Sequence, residues 1–161
     1  MVHEQILELL AAADVSYVLH RHPPLRTVPE VEAALPFLDG RMLKTIAFRK
    51  KDGGRVLAGL RGDDRIDYRL LAKAVGVNRR KIVSLSPDEV ETELGFDVGG
   101  VAPFALQDDV TVLFDEALPA MNVVFCGSGT NQATIEIPFA ALQRVSGGRL
   151  CPLARREDGG E

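Results

Sequence analysis

A chain of 161 residues with 46% hydrophobic and 26% charged side chains is long enough for one core and too short for two comfortable ones. Its net charge of −4 excludes a protein that coats nucleic acid through global charge, because neutralising phosphates takes a concentrated basic surface. Two cysteines, Cys126 and Cys151, form no CxxC pair, and no apolar run reaches membrane-spanning length, so the expectation is a soluble cytoplasmic protein with no cofactor, no metal, no membrane and no DNA partner.

Helical spacing of Ile6, Leu7, Leu9 and Leu10 predicts a first amphipathic helix over Glu4 to Ala13. A short strand is expected over Val15 to His20, stopped by Pro23-Pro24, then a short helix over Val28 to Leu35 with Thr27 as N-cap and Pro29 in its first turn. Thr45 to Lys50 and Arg55 to Leu60 are strand-like runs joined by the polar link Lys51-Asp52-Gly53-Gly54, the pattern of a hairpin. Leu70, Leu71, Ala74 and Val75 return to helical spacing over Asp67 to Val75, and Gly76 supplies a stop. A strand over Lys81 to Leu85 precedes a helix with Ser86 as cap, Pro87 at the first position, Glu89 completing a capping box and Gly95 at the end. After an irregular stretch from Asp97 to Leu106, three more strands are expected at Val110 to Phe114, Asn122 to Cys126 and Thr134 to Ile137, then a last helix between Pro138 and Gly147-Gly148. Residues after Pro152 have little to bury and are expected to fray, leaving 154–161 as a flexible tail. Several strand links are too short for a parallel crossover, so the fold class is mixed α/β (α+β), a curved mixed sheet with peripheral helices.

Few residues carry chemistry on their own. Strand periodicity puts Lys44 on one face with Ile46 and Phe48, where its ammonium must meet an acid, line a cavity or snorkel out from a frayed strand start. Gly99-Gly100-Val101-Ala102-Pro103 and Gly127-Ser128-Gly129 can bring peptide N–H groups close to a ligand oxygen, and both also read as plain connections. Cys126 ends an apolar run with no histidine near it in sequence, which favours a buried structural thiol over a nucleophile. His20 and His22 share a face at strand spacing but two ligands make no metal site, and Asp115-Glu116 reads as a cap or turn. The basic runs Arg49-Lys50-Lys51 and Arg79-Arg80-Lys81 are the local candidates for RNA contact.

The order of these elements carries more than any one of them. Leu43-Lys44-Thr45 opening a strand, Asp67 with Leu70 to Ala74 in a helix, Gly99 to Phe104, Asp115-Glu116, and Gly127-Ser128-Gly129 before Ile135-Glu136-Ile137 resemble the YbaK family, aminoacyl-tRNA deacylases related to the editing domain inserted in bacterial prolyl-tRNA synthetases. The resemblance implies a barrel-like curved sheet, one editing domain over 1–153, and hydrolysis of a mischarged tRNA, most simply Cys- or Ala-tRNA(Pro), with prolyl-tRNA synthetase or another synthetase as partner. It implies Lys44 as the catalytic residue and Thr45, Gly99, Gly100, Val101, Ala102, Pro103, Gly127, Ser128, Gly129 and Thr134 as substrate-binding positions. On this reading Lys44 holds the terminal phosphate or the ester carbonyl, while N–H groups of Gly100 and Gly127 to Gly129 surround the reacting carbonyl. The chain departs where that family reads Ser-Gly-Gly and Asp-Ile-Glu: here stand Gly127-Ser128-Gly129 and Thr134-Ile135-Glu136. That leaves amino-acid specificity open, and with it the alternative of a binding module that keeps the fold without hydrolysis.

Overall fold

The computed structural model describes residues 1–156, and its element order follows the hydrophobic pattern closely. Helix α1 (Val2–Ala12) buries Ile6 and Leu10, and strand β1 (Val18–Arg21) follows. That strand begins three residues later than periodicity suggested. Asp14 adopts the left-handed region at φ 56° and Val15 N–H reaches back to Leu10 O, so the chain is still leaving the helix there.

Helix α2 (Val28–Ala34) carries a complete capping box: Thr27 accepts from Glu30 N–H, and the Glu30 carboxylate accepts from Thr27 N–H. Strands β2 (Leu43–Lys50) and β3 (Arg55–Arg61) form the expected antiparallel hairpin, with Gly53 and Gly54 at positive φ in its turn. Helix α3 (Tyr68–Val75) is capped by Asp67 and closed by left-handed Gly76, and β4 (Ile82–Ser84) returns beside β2. Helix α4 starts at Pro87–Glu89 under a second capping box on Ser86 and widens to i→i+5 bonding over Val90–Leu94 before Gly95 ends it. Strands β5 (Val110–Asp115), β6 (Val123–Gly127) and β7 (Ala133–Pro138), helix α5 (Phe139–Ser146) and strand β8 (Arg149–Cys151) complete the order.

The strands form two sheets, a five-stranded one ordered β4-β2-β3-β5-β8 and a three-stranded one ordered β1-β7-β6. β5 runs parallel to both β3 and β8 while the other pairings are antiparallel, so the five-stranded sheet is mixed as expected. A bridge between Met42 and Phe125, with Phe125 N–H donating to Arg41 O at 2.9 Å, joins the sheets at the entrance to β2.

One apolar cluster fills the space between the sheets under α1 and α5, and a second packs α3 on the opposite side of the five-stranded sheet. β2 and β3 are therefore covered on both faces, which is why Val56 to Leu60 is buried without alternation. A third, small cluster seats Val31, Leu35 and Leu38 on Met42 and Phe125.

The frayed tail requires correction. Leu153 and Ala154 are 0% and 1% exposed, Ala154 bridges Ile66, and Arg155 N–H donates to Arg65 O at 2.7 Å. Two apolar side chains and a set of backbone bonds hold this segment, which the exposed look of the sequence after Pro152 concealed. The rest of the expected tail, 157–161, lies outside the described residues.

Candidate active site

Lys44 stands on β2 opposite Leu60, where the strand enters the sheet beside the Met42–Phe125 bridge. It borders a cavity of about 200 Å³ whose walls come from four places in the chain: Arg26, Thr27, Val28 and Val31 at the start of α2, Met42 to Thr45 on β2, Gly99 and Val101, and Gly127. An apolar cavity of about 220 Å³ adjoins it, shares Thr45, Gly99 and Val101, and is closed by Ala47, Leu85, Val90 and Val98 among others.

The three loops meet because glycine lets them. Gly99 sits at φ 86°, and a Cβ there would come within 2.4 Å of Leu25 O. A Cβ on Gly127 would fall 2.0 Å from Val101 O. Any side chain at either position drives the walls apart.

The Lys44 ammonium donates to the backbone carbonyl of Asp64. Burial pulls its pKa below the ordinary lysine value, the charges of Asp64 and Asp63 work against that, and Arg65 adds to the lowering. The Oγ1 of Thr45 is buried with no hydrogen-bond partner among the described residues. A buried hydroxyl left so costs about 1–3 kcal/mol. Thr45 contributes to the walls of both cavities.

The structure brings together Lys44, Thr45, Gly99, Val101 and Gly127, and leaves other anticipated positions away from the cavity wall. Gly100 N–H is spent on Asp97 O and Gly129 N–H on Gly100 O, both at 2.8 Å, so the anticipated ring of free donors from these two glycines is not there. Gly99 and Val101 have N–H groups with no hydrogen-bond partner among the described residues. Ser128 is 0% exposed and its hydroxyl donates to Ala133 O at 2.7 Å. Ala102 belongs to the core and Pro103 is buried. Thr134, 3% exposed, has its hydroxyl 2.8 Å from His22 Nε2. These side chains are buried in the protein, and the hydroxyls among them already have protein partners.

The histidines find separate partners. His20 Nε2 donates to the Glu136 carboxylate at 2.7 Å and its ring packs between Phe37 and Phe125, while His22 takes Thr134 and the Pro23 carbonyl. Among the described residues no group of three or more His, Cys, Asp or Glu side chains is placed to hold a metal ion. Cys126 is fully buried and burial pushes its thiol up to about 12, so at neutral pH no thiolate is available for attack. Asp115, read as a cap or turn, accepts from Ala117, Leu153 and Ala154 N–H groups, each at 2.9 Å, and from Arg156 at 2.8 Å.

The α2 wall and the Asp64 carbonyl carried no signal of their own in sequence. Thr27 and Val28 were legible only as a helix start, and the partner of Lys44 lies on a turn 20 residues away.

The model of the aminoacyl-tRNA editing domain family matches residues 22–145. The uncharacterized protein YwhH of Bacillus subtilis is 31% identical over 120 residues, covering 74% of each chain. EbsC of Enterococcus faecalis, described as a candidate Cys-tRNA(Pro)/Cys-tRNA(Cys) deacylase, is 24% identical over 127 residues, 79% of this chain and 76% of that one. Bacterial proline–tRNA ligases match as well, and there the chain spans only 18% to 22% of their length. A crystal structure described as a candidate trans-editing enzyme for prolyl tRNA synthetase superposes with a TM-score of 0.80 at 23% identity, covering 96% of this chain and 98% of that one. Among the described residues no helix is long and apolar enough to cross a membrane.

Proposed function

The chain belongs to the aminoacyl-tRNA editing domain family, and from that premise we propose that residues 1–153 form a trans-acting deacylase that hydrolyses the ester of a mischarged tRNA in the cytoplasm. The observation that carries the proposal is the placement of Lys44 on the wall of a small cavity, next to an unpartnered Thr45 hydroxyl and two close-packed glycine loops. An aminoacyl ester is already reactive, so the protein need only position a water and stabilise the oxyanion. Water adds to the carbonyl carbon, the ester C–O bond breaks, and the ribose hydroxyl of the tRNA 3′ end and a free amino acid leave. Lys44, charged, meets the terminal phosphate or the carbonyl oxygen. With Gly100 and Gly129 committed to the loops, the backbone donors at the cavity include the N–H groups of Gly99 and Val101.

Cavities of about 200 and 220 Å³ suit a small side chain, in keeping with cysteine or alanine on proline tRNA, and exclusion by size is the logic of a second sieve. For the tRNA body, Lys51 N–H donates to Lys81 O at 2.7 Å, which draws the two basic runs together. Arg49 is occupied by Glu89 and Glu93 and Arg79 lies over the Tyr68 ring, which leaves Lys50, Lys51, Arg80 and Lys81 without an ion pair among the described residues. Six residues along β2 put this patch roughly 20 Å from Lys44, a range at which an inserted 3′ end still has backbone phosphates. A synthetase, prolyl-tRNA synthetase first, is the proposed partner that presents the mischarged tRNA.

One observation favours a second reading, a binding module without hydrolysis: the N–H groups of Gly100 and Gly129 do not stand ready around a carbonyl. Incubating the protein with cysteinyl-, alanyl- and seryl-tRNA(Pro) separates the two. Loss of one ester well above the uncatalysed rate supports the deacylase. Retention of all three esters by protein that binds the tRNA supports the module.

A further inference from the structure

Lys44 does not find the Asp64 carbonyl by local geometry alone. The segment 62–66 that presents it leaves β3 after Arg61 and is pinned from several sides: Gly62 N–H to Met42 O at 2.8 Å, Arg65 O to Arg155 N–H at 2.7 Å, and Ile66 bridging Ala154. The Asp64 carboxylate, with its side chain 13% exposed, accepts a fork from Arg61 at 2.9 and 3.2 Å and lies 3.5 Å from Arg156 Nη1. The other nitrogen of that guanidinium, Nη2, donates to Asp115 Oδ2 at 2.8 Å. Asp115 is fully buried at the end of β5, and its remaining oxygen holds Leu153 and Ala154 N–H groups at 2.9 Å. One guanidinium therefore ties a rigid point in the sheet to the turn that faces the lysine.

We propose that Arg156 is a positioning residue for Lys44, bridging Asp115 and Asp64 so that the Asp64 carbonyl is held against the ammonium and the lysine stays aimed at the cavity. The inference rests on the reading of Lys44 as the group that meets the ester. Neither carboxylate can substitute for the bridge, since each only accepts, and the planar fork of arginine reaches both at once. Arg156 touches no substrate. It acts through the turn, on a lysine whose charged groups nearby are Asp63, Asp64 and Arg65.

The test is the titration of Lys44 in the full chain without substrate, followed by NMR of isotopically labelled lysine, the signal assigned with Lys44→Arg. Removing a nearby cation by Arg156→Gln should, by charge alone, make Lys44 harder to deprotonate. Release of the turn takes away the carbonyl acceptor and loosens the Asp64 and Asp63 charges that favour the ammonium, which makes it easier. The expected result is therefore a titration below that of the wild type. An unchanged or raised titration in a folded variant overturns the proposal. If the glutamine variant does not fold, Arg156→Lys answers the same question, because one ammonium cannot span both carboxylates as the fork does; again a lower titration is expected and an unchanged one contradicts it. Once a substrate is in hand, Arg156→Gln should lower kcat by about tenfold with KM nearly unchanged, the pattern of a misplaced group rather than a lost binding contact. Arg155→Ala, whose exposed side chain forms no ion pair among the described residues, should match wild type in both readouts. Because the titration needs no turnover, its outcome stands apart from whether the chain proves to be a deacylase.

Discussion

Thr45 is where residue-scale physics says most about the site. A buried hydroxyl with no partner among the described residues is a cost in the empty protein, and a ligand that reached it would recover a hydrogen bond. Replacing it with valine keeps the shape and removes the orphan. Thr45→Val should raise the free energy of unfolding of the unliganded protein by about 1 kcal/mol in a urea titration while raising KM for the aminoacyl-tRNA. A drop in stability with KM unchanged would show that the hydroxyl serves the fold. Ser128 is the opposite case: its hydroxyl already has Ala133 O, so it has little left to offer a ligand. The family resemblance placed both on the substrate side, because residue type and order do not show whether a hydroxyl is left without a partner or already meets a backbone carbonyl.

At the scale of elements, the capped helices and the β2–β3 hairpin were legible because their signals are local: Thr27 to Glu30 and Ser86 to Glu89 lie three residues apart, and the hairpin turn is a run of polar and glycine residues. Strand β8 was missed. It has three residues, two of them exposed, and it lies beside β5 because Gly148 lets it pass the ring of Phe114, where a Cβ would meet ring carbon at 2.2 Å. Gly147-Gly148 therefore does more than end α5. The parallel pairing of β3 with β5 was equally hidden, since the crossover between them carries α3, β4 and α4 and leaves no short-range mark.

Asp115 joins these distant pieces. Burial works to raise its pKa, but the Ala117, Leu153 and Ala154 N–H groups and Arg156 outweigh that and hold it below the ordinary carboxylate value. A depressed folded pKa means that its stabilisation is fully present above the unfolded value, about 3.9, and is lost as pH falls through the folded value. Asp115→Asn should thus lower stability by about 2 kcal/mol at pH 7 and show a shallower acid loss than wild type below about pH 4. Parallel acid curves for the two proteins would remove Asp115 from the account.

The whole molecule combines an acidic balance with one basic end. Net charge is −4, yet Lys50, Lys51, Arg80 and Lys81 gather where β2 meets the turn before β4. If all four meet phosphates, the affinity for tRNA falls with salt at a log–log slope of about −3, and Lys51→Glu with Lys81→Glu should flatten it by about half. A slope near zero in fluorescence titrations would mean that capture depends on a partner or on the 3′ end alone. At this scale the order of motifs was readable and the site was partly so. Lys44, Thr45 and the glycines stood out by type and succession, whereas the Asp64 carbonyl, Arg156 and the His22–Thr134 contact join residues 20 to 112 positions apart, and only the folded chain shows them.

The most direct test of the central claim is a single-turnover deacylation time course on cysteinyl- and alanyl-tRNA(Pro), wild type beside Lys44→Ala, with both proteins shown to be folded. The account predicts rapid loss of one ester by the wild type and a rate at least about 100-fold lower in the variant. Equal rates for the two proteins would contradict it.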